Sequence, residues 1–435
     1  MITLPPDHPQ RLPLADEVHA RPFEPIDTPS RLTYLALLID PEQREQERAQ
    51  LAQLARRFDA PPPDPQATHL RLALGGLRLK WERHGEFSGF TVIAPGASTE
   101  APFAAPAADG LPPGWLQALP GRTVVAAHAA LLPADSGAPD PAAVARHFEG
   151  HPIAGAAIGE GVGFAFTDFR VHADGCSRFL VFDHGFNPRQ AGRMIQRLFE
   201  IEAYRMLALL ALPIARRQSP RIVAIEKSLA ELTDGIAREA GDAIGRDDEL
   251  LHELTRLAAE VESGLAASQF RFGACRAYNE LVQMRIRELR ERRLPGLQTI
   301  EEFMARRFAP AVGTCATVSQ RLHDLSDRVA QASSLLATRV GITREQQNQQ
   351  LLASMDRRAK LQLRLQQTVE GLSVAAICYY VVGLVGYGAK ALKSTGLAID
   401  PDLAMGLAIP FAVAAVWWAV RRARQHIEDR HAPDR

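Results

Sequence analysis

The sequence predicts an α+β domain, a long helical, coiled-coil stalk and a C-terminal pair of transmembrane helices. Three observations support this fold class. Short alternating apolar segments separated by glycine and proline fill the first 190 residues, helix-forming stretches with few glycines follow, and two uncharged runs lie near the C-terminus. We therefore predict an α+β cytoplasmic domain (1–190), a long-helix stalk (191–370), a first transmembrane helix (371–389), a periplasmic loop (390–402), a second transmembrane helix (403–420) and a basic cytoplasmic tail (421–435).

Composition places most of the chain among ordinary globular proteins, with 46% apolar and 23% charged residues. The 50 basic and 50 acidic residues balance, so we expect no nucleic-acid partner. Four scattered cysteines form no CxxC pair, which argues against a disulfide framework or zinc ribbon and fits a reducing compartment. The polar, proline-rich N-terminus lacks the features of a secretory signal, so we expect the bulk of the chain in the cytoplasm.

The first 190 residues predict the elements of the α+β domain. A strand is expected at 31–40, an amphipathic helix at 42–58, an antiparallel meander after it, and a hairpin around an Asp174–Gly175 turn. The Ala-, Pro- and Gly-rich stretch 95–120 predicts either a long loop or a partly disordered segment. From Pro188 onward we predict four or five long helices, with breaks near Pro213, Pro220, Gly264 and Pro295–Gly296; the last begins near Thr343 and continues into the membrane.

The two uncharged runs have the length of membrane spans. Residues 371–389 form a helix of about 28 Å, close to the ~30 Å hydrocarbon core of a bilayer. In the second run, Pro410 is tolerable in a membrane helix, and Trp417 and Trp418 lie where an interfacial aromatic belt belongs. Basic residues flank the outer ends of the pair, at Arg357, Arg358, Lys360 and Arg364 and at Arg421, Arg422 and Arg424. By the positive-inside rule, both termini face the cytoplasm.

A stripe of small and polar residues follows a 3-4 repeat along the stalk and first span. Its members are Gln362, Gln366, Ser373, Ala376, Tyr380, Gly383 and Tyr387. We favour a helix-packing seam, because membrane interfaces use such residues. The alternative is the lining of a pore in a homo-oligomer. The predicted partners are accordingly the lipid bilayer and other copies of the chain, through stalk and transmembrane helices.

Two polar motifs in the soluble part are candidate sites. Glu17, His19 and Arg21 alternate within "EVHARPFEP" and could bind an anion or a partner or perform acid–base chemistry, although a structural ion-pair network is the favoured interpretation. His147, Glu149 and His151 form an H-x-E-x-H pattern that lacks the helical placement of H-E-x-x-H. His172, Asp174, Asp183 and His184 could complete a metal site, but exposed loop histidines are the commoner outcome. We thus predict no metal, no cofactor and no enzymatic activity.

The strings "LADEVHARPFEP" and "EQQNQQLLASMDRRAKLQLRLQQTVEGLSVAAICYYVVGLVGY" resemble a family of uncharacterised bacterial membrane-anchored proteins, known only as a domain of unknown function. The resemblance spans nearly the whole chain. It implies an inner-membrane protein with no established activity.

The architecture of residues 200–435 is also similar to that of CorA-type metal-ion transporters. Those transporters have a cytoplasmic α/β domain, stalk helices and two C-terminal spans, and they assemble as pentamers around the first span; the resemblance does not extend to the N-terminal domain of this chain. The Gly-Met-Asn signature of that family is missing, and Gly386, Tyr387 and Gly388 lie at its place.

Three functional hypotheses follow from the sequence. The first is a homo-oligomeric inner-membrane protein that binds, scaffolds or regulates. The second is a divergent CorA-like cation channel or transporter, which alone would require a divalent cation. The third is a membrane-tethered enzyme that uses Glu17, His19 and Arg21.

Overall fold

A computed structural model describes residues 5–12, 14–15, 23–134, 137–238, 246–394 and 400–428. The chain divides into two compact units, Met1–Ser334 and Leu335–Arg435. The first unit contains a mixed sheet and the helices that cover it, so the chain is α+β, as predicted.

The described strands of the first unit form one nine-stranded sheet in the order β2-β3-β4-β1-β5-β8-β7-β6-β9. Neighbouring strands are antiparallel, except that β5 and β8 are parallel. The strands are β1 (Ser30–Leu38), β2 (His69–Leu74), β3 (Leu77–Arg83), β4 (Phe87–Pro95), β5 (Arg122–Pro133), β6 (Ala154–Ile158), β7 (Gly163–Thr167), β8 (Ser177–Asp183) and β9 (Arg292–Arg293).

The longest described helices lie in the C-terminal half of the chain. They are α1 (Arg44–Arg57), α2 (Pro141–Ala145), α3 (Pro188–Leu209), α4 (Leu212–Arg238), α5 (Arg246–Leu289), α6 (Ile300–Arg307), α7 (Ala309–Ser394) and α8 (Pro401–Glu428). The predicted first strand, the helix after it, the meander β2–β4 and the antiparallel pair β7–β8 are confirmed. The predicted interruptions at Pro220 and Gly264 are wrong, because α4 and α5 continue through them.

One face of the sheet packs against α1 and the segment before β5. Trp81 and Phe90 are fully buried there, and the Phe90 and Trp115 rings meet edge to face with centroids 6.2 Å apart. The prediction of a long loop at 95–120 is therefore incomplete. Short 3-10 turns at Ala107–Gly110 and Leu116–Ala118 place Leu111 and Trp115 in the apolar core.

The opposite face of the sheet packs against α3. Phe199 stacks on Tyr34 with ring centroids 5.0 Å apart and meets Phe179 edge to face at 6.0 Å. One turn later, Tyr204 stacks on Tyr278 of α5 at 5.6 Å. A second helical layer therefore lies outside the first, and α3 and α5 belong to the same compact unit as the sheet.

The second unit contains most of α7 and the whole described part of α8. Helix α7 runs without a break through Gly371, as expected, but begins at Ala309 and not near Thr343. Pro310 does not prevent this earlier start, because the first turn of a helix needs no backbone N–H from it. Each helix contains an 18-residue apolar window of which only 6% is buried, so both are long and apolar enough to cross a membrane.

Candidate functional site

Polar side chains meet where two connections reach the same end of the sheet. Asp140 caps α2 by accepting hydrogen bonds from the backbone N–H groups of Ala142 and Ala143. After a 3-10 turn at Arg146–Phe148, the backbone of Glu149 takes a left-handed conformation (φ 57°) and that of Gly150 follows (φ 74°). This reversal ends the helical segment and directs His151 toward β6.

The second connection links β7 to β8. Asp168 follows directly on β7, and its carboxylate accepts a hydrogen bond from the backbone N–H of Arg170 at 3.1 Å. The turn closes through Gly175 (φ 83°), whose N–H donates to the carbonyl of His172. His172 N–H in turn donates to Cys176, so its backbone is held on both sides.

Four side chains from these connections form a cluster, which we call the histidine–carboxylate cluster: Glu149, His151, Asp168 and His172. His151 Nδ1 lies 3.0 Å from Asp168 Oδ2. His172 Nε2 lies 3.1 Å from the same oxygen, and His172 Nδ1 lies 3.1 Å from Glu149 Oε1. One ligand atom each from Glu149, His151 and His172 lie within 4.8 Å of one another.

Burial divides the cluster into an inner and an outer half. The side chains of Asp168 and His172 are fully buried, whereas those of His151 and Glu149 are 30% and 53% exposed. The polar contact with His172 lowers the pKa of Glu149, and this carboxyl is ionised at neutral pH. The cluster therefore opens to solvent on the side of Glu149 and His151.

Arg178 on β8 lies beside the cluster. Its guanidinium contacts Glu149 Oε1 at 3.4 Å and Asp174 Oδ2 at 3.3 Å. With neutral histidines, the three carboxylates of Glu149, Asp168 and Asp174 and one guanidinium carry a net charge of −3 + 1 = −2. The site thus has an excess of negative charge around two imidazoles.

The structure brings together only part of the predicted histidine motif. Glu149 and His151 belong to the cluster, but His147 does not, and only its backbone oxygen is contacted, by Arg178. Burial and the neighbouring Arg146 lower the pKa of His147. His172 joins the cluster, whereas Asp183 binds Thr28 and the N–H groups of Gly185 and Phe186. Asp168 was not predicted from the sequence, although its spacing to His172 was visible.

A second candidate lies between the sheet and α3, where Tyr34, Lys80, Gln196 and Tyr204 line a small cavity. The buried Lys80 ammonium contacts Gln196 at 3.1 Å and Glu82 at 2.8 Å. The space holds about 30 Å³, which is room for roughly one water molecule. This cavity is too small for an organic ligand.

The predicted cluster of Glu17, His19 and Arg21 lies outside the described residues. The chain after it is described: Glu24 makes ion pairs with Arg71 (2.5 Å) and Arg78 (3.4 Å). Ile26 N–H donates to the carbonyl of Pro188 at the start of α3. The segment next to the motif is therefore attached to β2, β3 and α3.

The predicted stripe lies mostly on the exposed side of α7. Tyr380 and Tyr387 are 71% and 74% exposed, and a Cβ on Gly383 would meet nothing within 4 Å. Gly386 instead faces α8, where a Cβ would collide with the Met405 side chain. Farther along, Gln362, Gln366 and Ser373 share a groove with Val420 of α8.

Comparison with known proteins gives one family. The chain matches the family model described as "Protein of unknown function (DUF3422)" over residues 6–427. This match confirms the resemblance to an uncharacterised family over nearly the whole length. No curated protein matches the chain. The chain therefore belongs to the DUF3422 family of proteins of unknown function.

Proposed function

We propose that this chain is an inner-membrane protein that displays its α+β domain on the cytoplasmic side and acts by binding, scaffolding or regulating a partner. The observation that carries the proposal is the pair of consecutive apolar helices α7 and α8, whose apolar windows are only 6% buried. An apolar surface of this length requires either lipid or protein to cover it.

The distribution of charge supports an orientation with both termini in the cytoplasm. Basic residues precede the apolar window of α7 and follow that of α8. At the end of α8, the guanidinium groups of Arg421 and Arg422 lie 5.1 and 5.0 Å from the ring centroids of Trp417 and Trp418. Tryptophan and arginine in contact are typical of the boundary between hydrocarbon and headgroups.

Membrane extraction and cysteine labelling test this proposal. An alkaline wash of membranes should leave the chain in the pellet. The cysteines are introduced in a Cys378→Ala background, and the cells are treated so that only the outer membrane is permeabilised. An impermeant maleimide should then label Ser394→Cys. It should label Ser354→Cys only after the cells are lysed. Release of the chain by the wash, or equal labelling of both cysteines in intact cells, would contradict the proposal.

Homo-oligomerisation is part of the proposal, because the stripe with Tyr380 and Tyr387 has no cover within the described part of one chain. A second copy would bury it, as membrane helices bury small and polar residues against each other. Light scattering of the detergent-solubilised protein, corrected for the micelle, gives the subunit number. A monomeric mass would contradict self-association and would mean that lipid covers the stripe.

A cation channel is the second candidate function, since the exposed stripe would line a central path in a ring of subunits. Gly383→Leu should then abolish ion flux in proteoliposomes. Gly371→Leu is the matched control, because it makes the same change in the same span on the side of the helix opposite Tyr380, and its Cβ also meets nothing within 4 Å. Absence of flux in the unmodified protein would rule this candidate out.

A further inference from the structure

His172 is the central residue of the histidine–carboxylate cluster, and both of its ring nitrogens face carboxylates. Nδ1 lies 3.1 Å from Glu149 and Nε2 lies 3.1 Å from Asp168. A carboxylate only accepts hydrogen bonds, and a neutral imidazole has a single N–H to donate. One of the two contacts therefore requires a second proton on the ring or a cation between the nitrogen and the carboxylate.

Asp168 determines which nitrogens are free. Its fully buried carboxylate lies within hydrogen-bond distance of His151 Nδ1 and His172 Nε2. If both nitrogens donate to it, His151 Nε2 and His172 Nδ1 keep their lone pairs. A buried carboxylate that orients the imidazoles through their second nitrogen is the arrangement found behind metal-binding histidines.

Charge favours a cation over a second proton. With neutral histidines the surrounding groups carry −3 + 1 = −2, and Arg178 is shared between Glu149 and Asp174. One proton on His172 would halve this excess, whereas a divalent ion would cancel it. The charge that remains after a single protonation would be costly, because it would lie beside the buried Asp168 without compensation.

We propose that Glu149, His151 and His172 bind a divalent transition-metal ion, and that Asp168 is the positioning residue for both imidazoles. Two nitrogens and one carboxylate oxygen are a ligand set that suits zinc. Zinc bonds of ~2.0–2.1 Å place tetrahedral ligands roughly 3.3 Å apart. The contact between His172 Nδ1 and Glu149 Oε1, at 3.1 Å, is close to this separation, and Glu149, His151 and His172 each offer one nitrogen or oxygen within 4.8 Å of the others.

The ion would join two connections that are distant in the chain. Glu149 and His151 follow α2, and His172 lies between β7 and β8. Three protein ligands leave a fourth position for water, on the side where Glu149 and His151 are exposed to solvent. This inference is independent of membrane insertion, since the three ligands all lie in the first compact unit.

Zinc binding to the full-length, untagged protein in detergent is the direct test. The protein is stripped with a chelator, equilibrated with Zn²⁺, desalted and analysed for metal content. We expect about one zinc per chain and a melting temperature that rises with Zn²⁺ concentration, because an ion that binds only the folded state stabilises it. Co²⁺ provides a second measurement, since its visible absorption reports ligand number and geometry.

The variants Glu149→Gln and His151→Gln change exposed ligands and should each lower zinc affinity at least about tenfold. His147→Gln is the matched control on the same segment and should bind like the unmodified protein. Asp168→Asn should lower affinity by about 10- to 100-fold and change the Co²⁺ spectrum, as loss of a positioning hydrogen bond does. Circular dichroism confirms that each variant is folded.

Two results would overturn the proposal. One is zinc well below one per chain in the stripped and reloaded protein, which would leave His172 as a protonated member of an ion-pair network. The other is unchanged zinc affinity in both Glu149→Gln and His151→Gln, which would assign the bound metal to other residues.

Discussion

Gly192 lies near the N-terminal end of α3, where the N-terminal segment crosses the helix. A Cβ at this position would collide with the carbonyl oxygen of Glu24, which is backbone and cannot rotate away. The same segment is held by the ion pairs of Glu24 and by the Ile26–Pro188 hydrogen bond. Glycine is thus required here because it lets the backbone of Glu24 approach the helix closely, even though glycine is a poor helix former.

Gly192→Ala should therefore destabilise the protein by roughly 1–3 kcal/mol, the usual cost of forcing extra volume into a packed site. Gly273→Ala in α5 is the control, because its Cβ would meet nothing within 4 Å. We expect that change to stabilise by about 0.5–1 kcal/mol through helix propensity. Thermal melting of both variants in detergent measures the difference, and equal melting temperatures would contradict the crossing at Gly192.

Glu47 is a buried carboxyl in α1. It accepts a hydrogen bond from Trp81 Nε1 at 2.7 Å, and its second oxygen has no hydrogen-bond partner. Burial raises the pKa of Glu47 above the ordinary value of 4.5, although the hydrogen bond from Trp81 opposes the shift. The folded state thus holds this proton more tightly than the unfolded chain, so the ionised form costs stability at neutral pH.

Glu47→Gln should raise the free energy of unfolding at pH 8 by about 1 kcal/mol, since glutamine keeps the acceptor for Trp81 without the charge. The gain should shrink as pH falls through the raised pKa, and vanish below 4.5, where both states are protonated. The exposed Glu45→Gln in the same helix should change little. Melting temperatures across pH test this expectation, and a gain that persists at pH 4 would contradict it.

Elements with their own periodicity were predictable, and elements defined by distant contacts were not. The meander β2–β4 and helix α1 follow local patterns and were predicted. Strand β6, "AGAAI", has no alternation because all five residues are buried, and it was not predicted from the sequence. Its pairing with β7 is local, but its pairing with β9 on the other side joins segments that are far apart in the chain.

The histidine–carboxylate cluster illustrates the same limit at a site. The spacing of Glu149 and His151 was visible in the sequence, and His172 was named as a possible addition. Asp168 was missed because its role depends on full burial beneath both rings, which no local pattern encodes. His147 was included only because it shares the alternation, and the left-handed backbone at Glu149 separates it from the others.

The contact between α7 and α8 yields a prediction for the hairpin. Gly386 allows the Met405 side chain to approach the backbone of α7. Gly386→Leu should separate the helices and lower the melting temperature in detergent, at a cost of about 1–3 kcal/mol. Gly388→Leu, whose Cβ meets nothing within 4 Å, should melt like the unmodified protein. Equal effects of the two changes would contradict this packing.

At the scale of the whole molecule, apolar surface is distributed unequally between the two units. The first unit, Met1–Ser334, has its own sheet and its own apolar cores. The second, Leu335–Arg435, has two long helices whose large apolar side chains are mostly exposed. Lipid tails can cover such side chains without any further folding of the chain, whereas their exposure to water is unfavourable.

A chain that ends after Gly341 should therefore behave as a soluble protein. It keeps the whole first unit and loses both apolar windows, so it should remain in the supernatant after ultracentrifugation without detergent, whereas the full chain pellets with membranes. If the zinc site is correct, the truncated chain should also keep one zinc, because all three ligands remain. Circular dichroism and a cooperative thermal transition would show that it is folded. A folded truncated chain that still pelleted with membranes would place the membrane attachment in the first unit, and the hairpin could then no longer be its only anchor.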